Sequence, residues 1–195
     1  MSKNKIIFIS GTPCTGKTTI ATKLADKLTN DGFNCKFIKI NDFAIANDFV
    51  DGEDPDKFYK IINIEKLDKG LNKDLDLFFE ESNSDSDNIA IVEGHLSHLC
   101  NGADKMIVLR LDPNILKNRL NARNYSESKV YENCEAEALA VCSAEAYEIY
   151  GEDVSEIDCG DKSVDDVVAI CLDIINGSED YPIGYIDFMD WILTT

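Results

Sequence analysis

At 195 residues the chain has room for one domain around a single core and needs no second. A formal net charge of −18 argues against sequence-specific nucleic-acid binding, because the long-range field repels polyanions; it leaves solubility, or a basic protein partner, as readings of the acidity. Seven cysteines without a CxxC pair suit reduced thiols better than a disulfide framework, and no apolar run approaches a membrane span, so a soluble, cytoplasmic protein without a membrane partner is expected.

In chain order, the apolar run Lys5 to Ile9 predicts a strand, and Ile20, Ala21, Leu24, Ala25 and Leu28 recur at helical spacing. Between them lies SGTPCTGKTT, Ser10 to Thr19, in which Gly11, Gly16, Lys17 and Thr18 meet the pattern GxxxxGK[ST]. Strand, glycine loop and helix is the context in which backbone N–H groups and a helix N-terminus cradle phosphates. Lys17 would supply a cation to the β and γ phosphates of ATP, and the Thr18 hydroxyl would hold Mg²⁺.

Further along, Cys35 to Ile40 alternates toward a second strand, with Asn41-Asp42 as the expected N-cap of a short segment Phe43 to Ala46. The acidic run from Asp48 to Asp56 reads as an excursion from the sheet; Phe58 to Ile64 is β-prone, and Ile64 to Phe79 is helical in period. Ile89 to Val92 and Met106 to Leu111 are near-continuous apolar runs, the signature of strands buried on both faces of a parallel sheet. Asp112-Pro113 caps a helix to Leu120, a polar loop follows, and one long helix is expected from Val130 to Tyr150. Val154 to Asp158 predicts the last strand, and Ser163 caps a final helix to Ile175. The alternation gives a three-layer, doubly wound parallel α/β sheet with ligand at the carboxyl ends of its strands. The aromatic, acidic tail beyond it is expected to dock on the domain.

Four positions invite chemistry. Glu93, at the carboxyl end of a buried strand, is either a solvated strand-end carboxylate or a group that holds Mg²⁺ or polarises an attacking water. His95, two residues on, would face the γ-phosphate as a proton acceptor or water-orienting group, unless it is structural; with His98 it lacks a third ligand for zinc. Of the three arginines, Arg119 and Arg123 are candidates for stabilising charge on a transferring phosphoryl group, and Arg110, inside a strand, is structural.

Taken together, ISGTPCTGKTT, INDFAI, IVEGHLSHL, VLRLDP, RLNARNYSESKVYENCEAE and VSEID resemble the adenylate kinase isoenzyme 6 family in its archaeal form, over about Lys5 to Ile175. The resemblance implies a phosphate-binding-loop NTPase of the nucleoside monophosphate kinase fold, spanning residues 1–176, that moves the γ-phosphoryl of ATP to AMP or another nucleoside monophosphate. It also implies an ATPase side activity and, by analogy with eukaryotic members, help in small ribosomal subunit maturation through a basic ribosomal protein. Thr12, Cys14, Thr15, Gly16, Lys17, Thr18 and Thr19 take the loop roles. Glu93 and His95 match the acidic-x-His element. Residues 39–62, with Asn41, Asp42 and Phe43, match the monophosphate-binding part, and residues 122–132 match a short lid in which Arg123 contacts ATP. Lys162 matches a position near the base; residues 177–195 form the tail. Two departures stand out: Cys14 replaces the family's common glycine, and the excursion lacks the arginine that ordinary adenylate kinases place on the AMP phosphate, leaving Lys39, Lys57 and Lys60.

Overall fold

A computed structural model describes residues 4–53, 60–82, 87–178 and 180–194, so Lys57 and Phe58 lie outside the described residues. Five parallel strands form the central sheet: β1 (Asn4–Ser10), β2 (Asn34–Lys39), β5 (Asn88–Glu93), β6 (Lys105–Arg110) and β7 (Val154–Asp158), in the order β2-β5-β1-β6-β7. Chain order departs from spatial order at β1, with neighbours β5 and β6, and this opens a crevice at the carboxyl ends. All six residues of β5 are buried, as the apolar run requires of a strand covered on both faces.

Alternation along β1 divides the core. Ile7 and Ile9 pack with α1 (Lys17–Asn30), α4 (Pro113–Ala122), α5 (Glu127–Ala138) and α7 (Val164–Ile175), whereas Phe8 joins α2 (Ile40–Ala46), α3 (Ile64–Glu81) and α6 (Val141–Tyr150) on the other face. Both layers are closed by the apolar stripes of their helices, Ile20, Leu24 and Leu28 on α1 and Leu67, Leu71 and Leu75 on α3. The excursion is an antiparallel pair, β3 (Val50–Glu53) with β4 (Lys60–Ile62), shorter than the β-prone run. Beyond α7, Ser155 bridges to Pro182, the Glu156 N–H donates to the Tyr181 carbonyl at 3.0 Å, and a short helix α8 (Asp190–Thr194) sets Trp191 5.8 Å from Tyr131 of α5.

Two sequence expectations are corrected. Asn41 and Asp42 do not cap α2: the helix begins at Ile40, straight out of β2, with Lys39 in the cap position. This frees the Asn41 side chain to reach across to His95. The helix expected from Val130 to Tyr150 is two helices, broken where Ala140 adopts φ 55°, ψ 35°. A continuing α-helix would give the Glu137 carbonyl to the N–H of residue 141. Here it accepts instead from Arg110 Nη2 at 2.8 Å and from the Ala140 N–H at 3.0 Å, and the chain reverses.

The left-handed residue separates the two architectures by experiment. Ala140→Gly removes the Cβ penalty at positive φ and is expected to raise unfolding stability by about 1 kcal/mol in a urea titration. A continuous helix would instead lose about 1 kcal/mol to the same change, so a fall in the midpoint would contradict the break.

Candidate functional site

The crevice is lined by the end of β1, the loop that follows it, the start of α1 and the ends of β2 and β5. Gly11 (φ 135°) allows the chain to turn there: a Cβ on it would stand 2.4 Å from the Leu109 carbonyl oxygen, a backbone atom that cannot yield. Gly16 (φ 114°) sits at the N-cap of α1, delivering Lys17, Thr18 and Thr19 to the first turn with its unpaired N–H groups. Cys14 also has positive φ, 72°, a conformation that costs a residue with a Cβ more than it would cost glycine; the thiol is partly exposed at the mouth.

Above the loop lies a cavity of about 360 Å³. It brings together Cys14, Gly16, Lys17, Thr18, Thr19, Lys39, Asn41, Asp42, Glu93, His95, Arg123 and Tyr125. Most of the sequence-selected residues therefore converge. Thr15, Thr19 and Lys162 line a neighbouring cleft of about 120 Å³ with Arg119 and Cys159. Thr12 and Phe43 stand apart: the Thr12 hydroxyl turns away to donate to Glu137, and Phe43 packs against Phe49, with ring centres 6.1 Å apart. Arg119 braces the loop, donating from Nη1 to the Thr15 carbonyl at 3.1 Å, rather than pointing at the centre of the cavity.

Lys17 is buried, and its ammonium donates to the loop's own carbonyls, Gly11 at 2.8 Å and Thr12 at 2.9 Å. Burial lowers its pKa, with Glu93 among the groups that oppose the shift. The Thr18 hydroxyl donates to Glu93 Oε1 at 3.0 Å, and Glu93 is itself buried at the end of β5. A hydroxyl and a carboxylate meeting next to a phosphate-binding loop are the hard oxygen donors that suit Mg²⁺, an ion that takes one or two protein oxygens and completes its shell with water and phosphate. Thr18 and Glu93 thus fit the metal, which would hold and neutralise phosphate oxygens there.

His95 is held against Asn41, whose Nδ2 donates to His95 Nδ1 at 3.3 Å. Burial, and then the nearby Lys17 ammonium, pull its pKa down to about 4. At neutral pH the ring is uncharged and, with Nδ1 accepting, carries its proton on Nε2. It is then equipped to donate a hydrogen bond, and too weak a base to take up a proton readily. Among the described residues, Asn41 Oδ1 is buried without a hydrogen-bond partner, on the wall opposite the loop. His98 has a different setting: buried and also lowered in pKa by burial, it accepts from the Ser10 hydroxyl at 2.6 Å and donates to Glu145 at 2.8 Å, tying the end of β1 to α6. It is structural.

Sequence reasoning missed two features. The Asn41–His95 pair joins residues 54 apart and leaves no local trace. Glu137 did leave one, a carboxylate at i+7 from Val130 and i+3 from Cys134 on the buried face of α5.

The parallel sheet order, the glycine loop at the end of its central strand and the flanking helices define a phosphate-binding-loop NTPase with the fold of nucleoside monophosphate kinases. At the level of fold, the chain is similar to thymidylate kinase from Candida albicans, with a TM-score of 0.52 at 14% identity over 89% of this chain and 91% of that one. Shikimate kinase from Bacteroides thetaiotaomicron gives 0.50 at 14% identity over 88% and 98%. A family model described as an AAA domain matches residues 7–140. In sequence, the chain is 40% identical to a "Putative adenylate kinase" of Methanothermobacter thermautotrophicus over 96% of this chain and 99% of that protein. It is 36% identical to one of Pyrococcus furiosus over 94% and 91%. The chain belongs to this archaeal adenylate kinase family.

Protonation of His95 provides a direct check on the electrostatics. In an NMR titration its imidazole is expected to titrate near pH 4, well below the ordinary histidine value. A midpoint near 6.5 in the free protein would show that the ring is not held beside that charge in a desolvated site.

Proposed function

We propose that the protein is a nucleoside monophosphate kinase that transfers the γ-phosphoryl group of ATP to AMP. The observation that carries this is the shared cavity: donor-side groups (Lys17, Thr18, Glu93) and groups of the monophosphate-binding part (Lys39, Asn41, Asp42) face one another across a single space of about 360 Å³. A hydrolase needs only the first set.

In this reading the N–H groups of residues 14–19 cradle the β and γ phosphates, Lys17 leaves its carbonyls for phosphate oxygens, and Thr18 with Glu93 would hold Mg²⁺. The base of ATP lies toward Lys162, Thr19 and Arg119. On the opposite wall Lys39 supplies the cation that an arginine gives in ordinary adenylate kinases, and Asn41 supplies an amide. An oxygen of the acceptor phosphate attacks the γ-phosphorus as the bond to the β-phosphate oxygen breaks, leaving ADP on both sides. Charge spreads over the equatorial oxygens during transfer, and Arg123 and the His95 Nε2–H are the donors available to meet it. ATP hydrolysis would follow when water replaces the acceptor. A net charge of −18 favours a basic partner, such as a ribosomal protein, for that second activity.

Stoichiometry is the decisive measurement. Two ADP formed per AMP consumed, with turnover falling roughly 10²-fold or more in Lys17→Ala while the circular dichroism spectrum is retained, is the expected result. Phosphate release indifferent to AMP would replace the kinase reading with the hydrolytic one. Arg123→Ala is expected to lower kcat by roughly 10²- to 10³-fold; a change confined to the KM for AMP would move that residue off the transferring group.

A further inference from the structure

A chain of buried charges runs from the phosphate-binding loop to the C-terminal tail. It begins at Thr12, whose hydroxyl donates to Glu137 Oε2. Glu137 Oε1 accepts from Arg110 Nε at 2.8 Å and from the Leu111 N–H at 3.0 Å. Arg110 Nη1 then donates to Glu156 Oε1 at 2.6 Å, and Glu156 Oε2 accepts from the Gly184 N–H at 2.7 Å. The tail closes the far side, with the Ile186 carbonyl 3.5 Å from Nη1 and the Phe188 ring centre 5.3 Å from the guanidinium carbon. Arg110 is 1% exposed and both carboxylates are nearly as deeply buried.

Side chains in such a network have little freedom to move independently, because any shift leaves a desolvated charge short of a partner. Thr12 is the residue whose carbonyl accepts from Lys17, from the Thr15 hydroxyl at 3.0 Å and from the Thr15 N–H at 3.3 Å, so its position fixes the curvature of the whole loop. Glu137 holds Thr12 from behind, on the side away from the cavity. The tail covers the guanidinium that orients Glu137.

We propose that the tail turn Gly184 to Phe188 sets the shape of the phosphate-binding loop, and with it nucleotide affinity, through Arg110 and Glu137 as positioning residues. The proposal rests on the nucleotide-binding reading of the cavity. It makes residues 184–188 part of the working domain although they do not line that cavity.

A double-mutant cycle on the full chain tests it. Phe188→Ala is expected to weaken Mg·ATP binding, read by calorimetric titration, about five- to tenfold. The same change in a Thr12→Val background, where the hydroxyl link is already cut, is expected to add less than about twofold. Thr12→Ser restores the donor and with it the tail's effect; Leu193→Ala, at a 78% exposed residue beyond that turn, changes nothing. Equal effects of Phe188→Ala in the two backgrounds, or no effect at all, overturn the proposal. Should Phe188→Ala fail to fold, Phe188→Leu keeps an apolar side chain of most of the volume, loses the ring face and is held to the same criterion of non-additivity. Backbone hydrogen exchange separates this outcome from failure of the nucleotide reading. If the unaltered protein takes up no Mg·ATP, faster exchange confined to residues 10–16 and the tail in the Phe188 variant still supports the coupling, and unchanged exchange there refutes it.

Discussion

A single guanidinium, Arg110, is sealed between two carboxylates in a chain that has only three arginines, and much of the architecture is arranged around it. It sits at the carboxyl end of β6, beside the loop that leaves β1. Burial works against its charge, but Glu137 and Glu156 more than offset this and hold its pKa above the ordinary value. Such an assembly gives little net stability over a well-packed apolar one, yet removing one member strands an unpaired charge, commonly at about 3–5 kcal/mol. Its effect is therefore specificity of arrangement. It stops α5 by taking the carbonyl of Glu137, turns the chain into α6 at Ala140, brings the Thr12 side chain out of the crevice and draws the tail over β7.

The crevice shows the complementary logic. Several of its polar groups have partnerships that the protein alone leaves partial. Asn41 Oδ1 is one such group, buried and unbonded. Another is the Thr18–Glu93 pair, two oxygens already together but with lone pairs to spare for a metal. His95 stays neutral because burial and the Lys17 ammonium both penalise its cation, which preserves an N–H donor where a protonated ring would add a charge fixed by pH rather than by ligand. Arg123 and Tyr125 reach the same space from the segment between α4 and α5.

Much of this was legible before any coordinates. The GxxxxGKT loop, the buried runs that became β5 and β6, the Asp112-Pro113 start of α4 and the Ser163 cap of α7 each carry a local physical signature, and the structure places them as expected. What escaped was non-local. Nothing about Ala140 marks a reversal: alanine is the best helix former, and only the capture of the Glu137 carbonyl by a residue of a distant strand ends the helix there. Asn41-Asp42 looked like a cap because those residue types prefer caps, but β2 feeds directly into α2, and Asn41 finds its partner on the loop after β5. Glu137 was the missed opportunity, a charge in an apolar register, which in a protein core signals a partner of opposite sign.

The posture of Lys17 carries one more consequence. Its ammonium is already engaged by two carbonyl oxygens of the strand-to-helix turn, so an entering anion must outcompete an internal ligand pair before it gains that cation. Giving up those two carbonyls offsets part of the attraction that any such anion gains. The retracted side chain thus sets a threshold: the cation is already spoken for, and only a ligand that draws it harder than the loop's own backbone can take it.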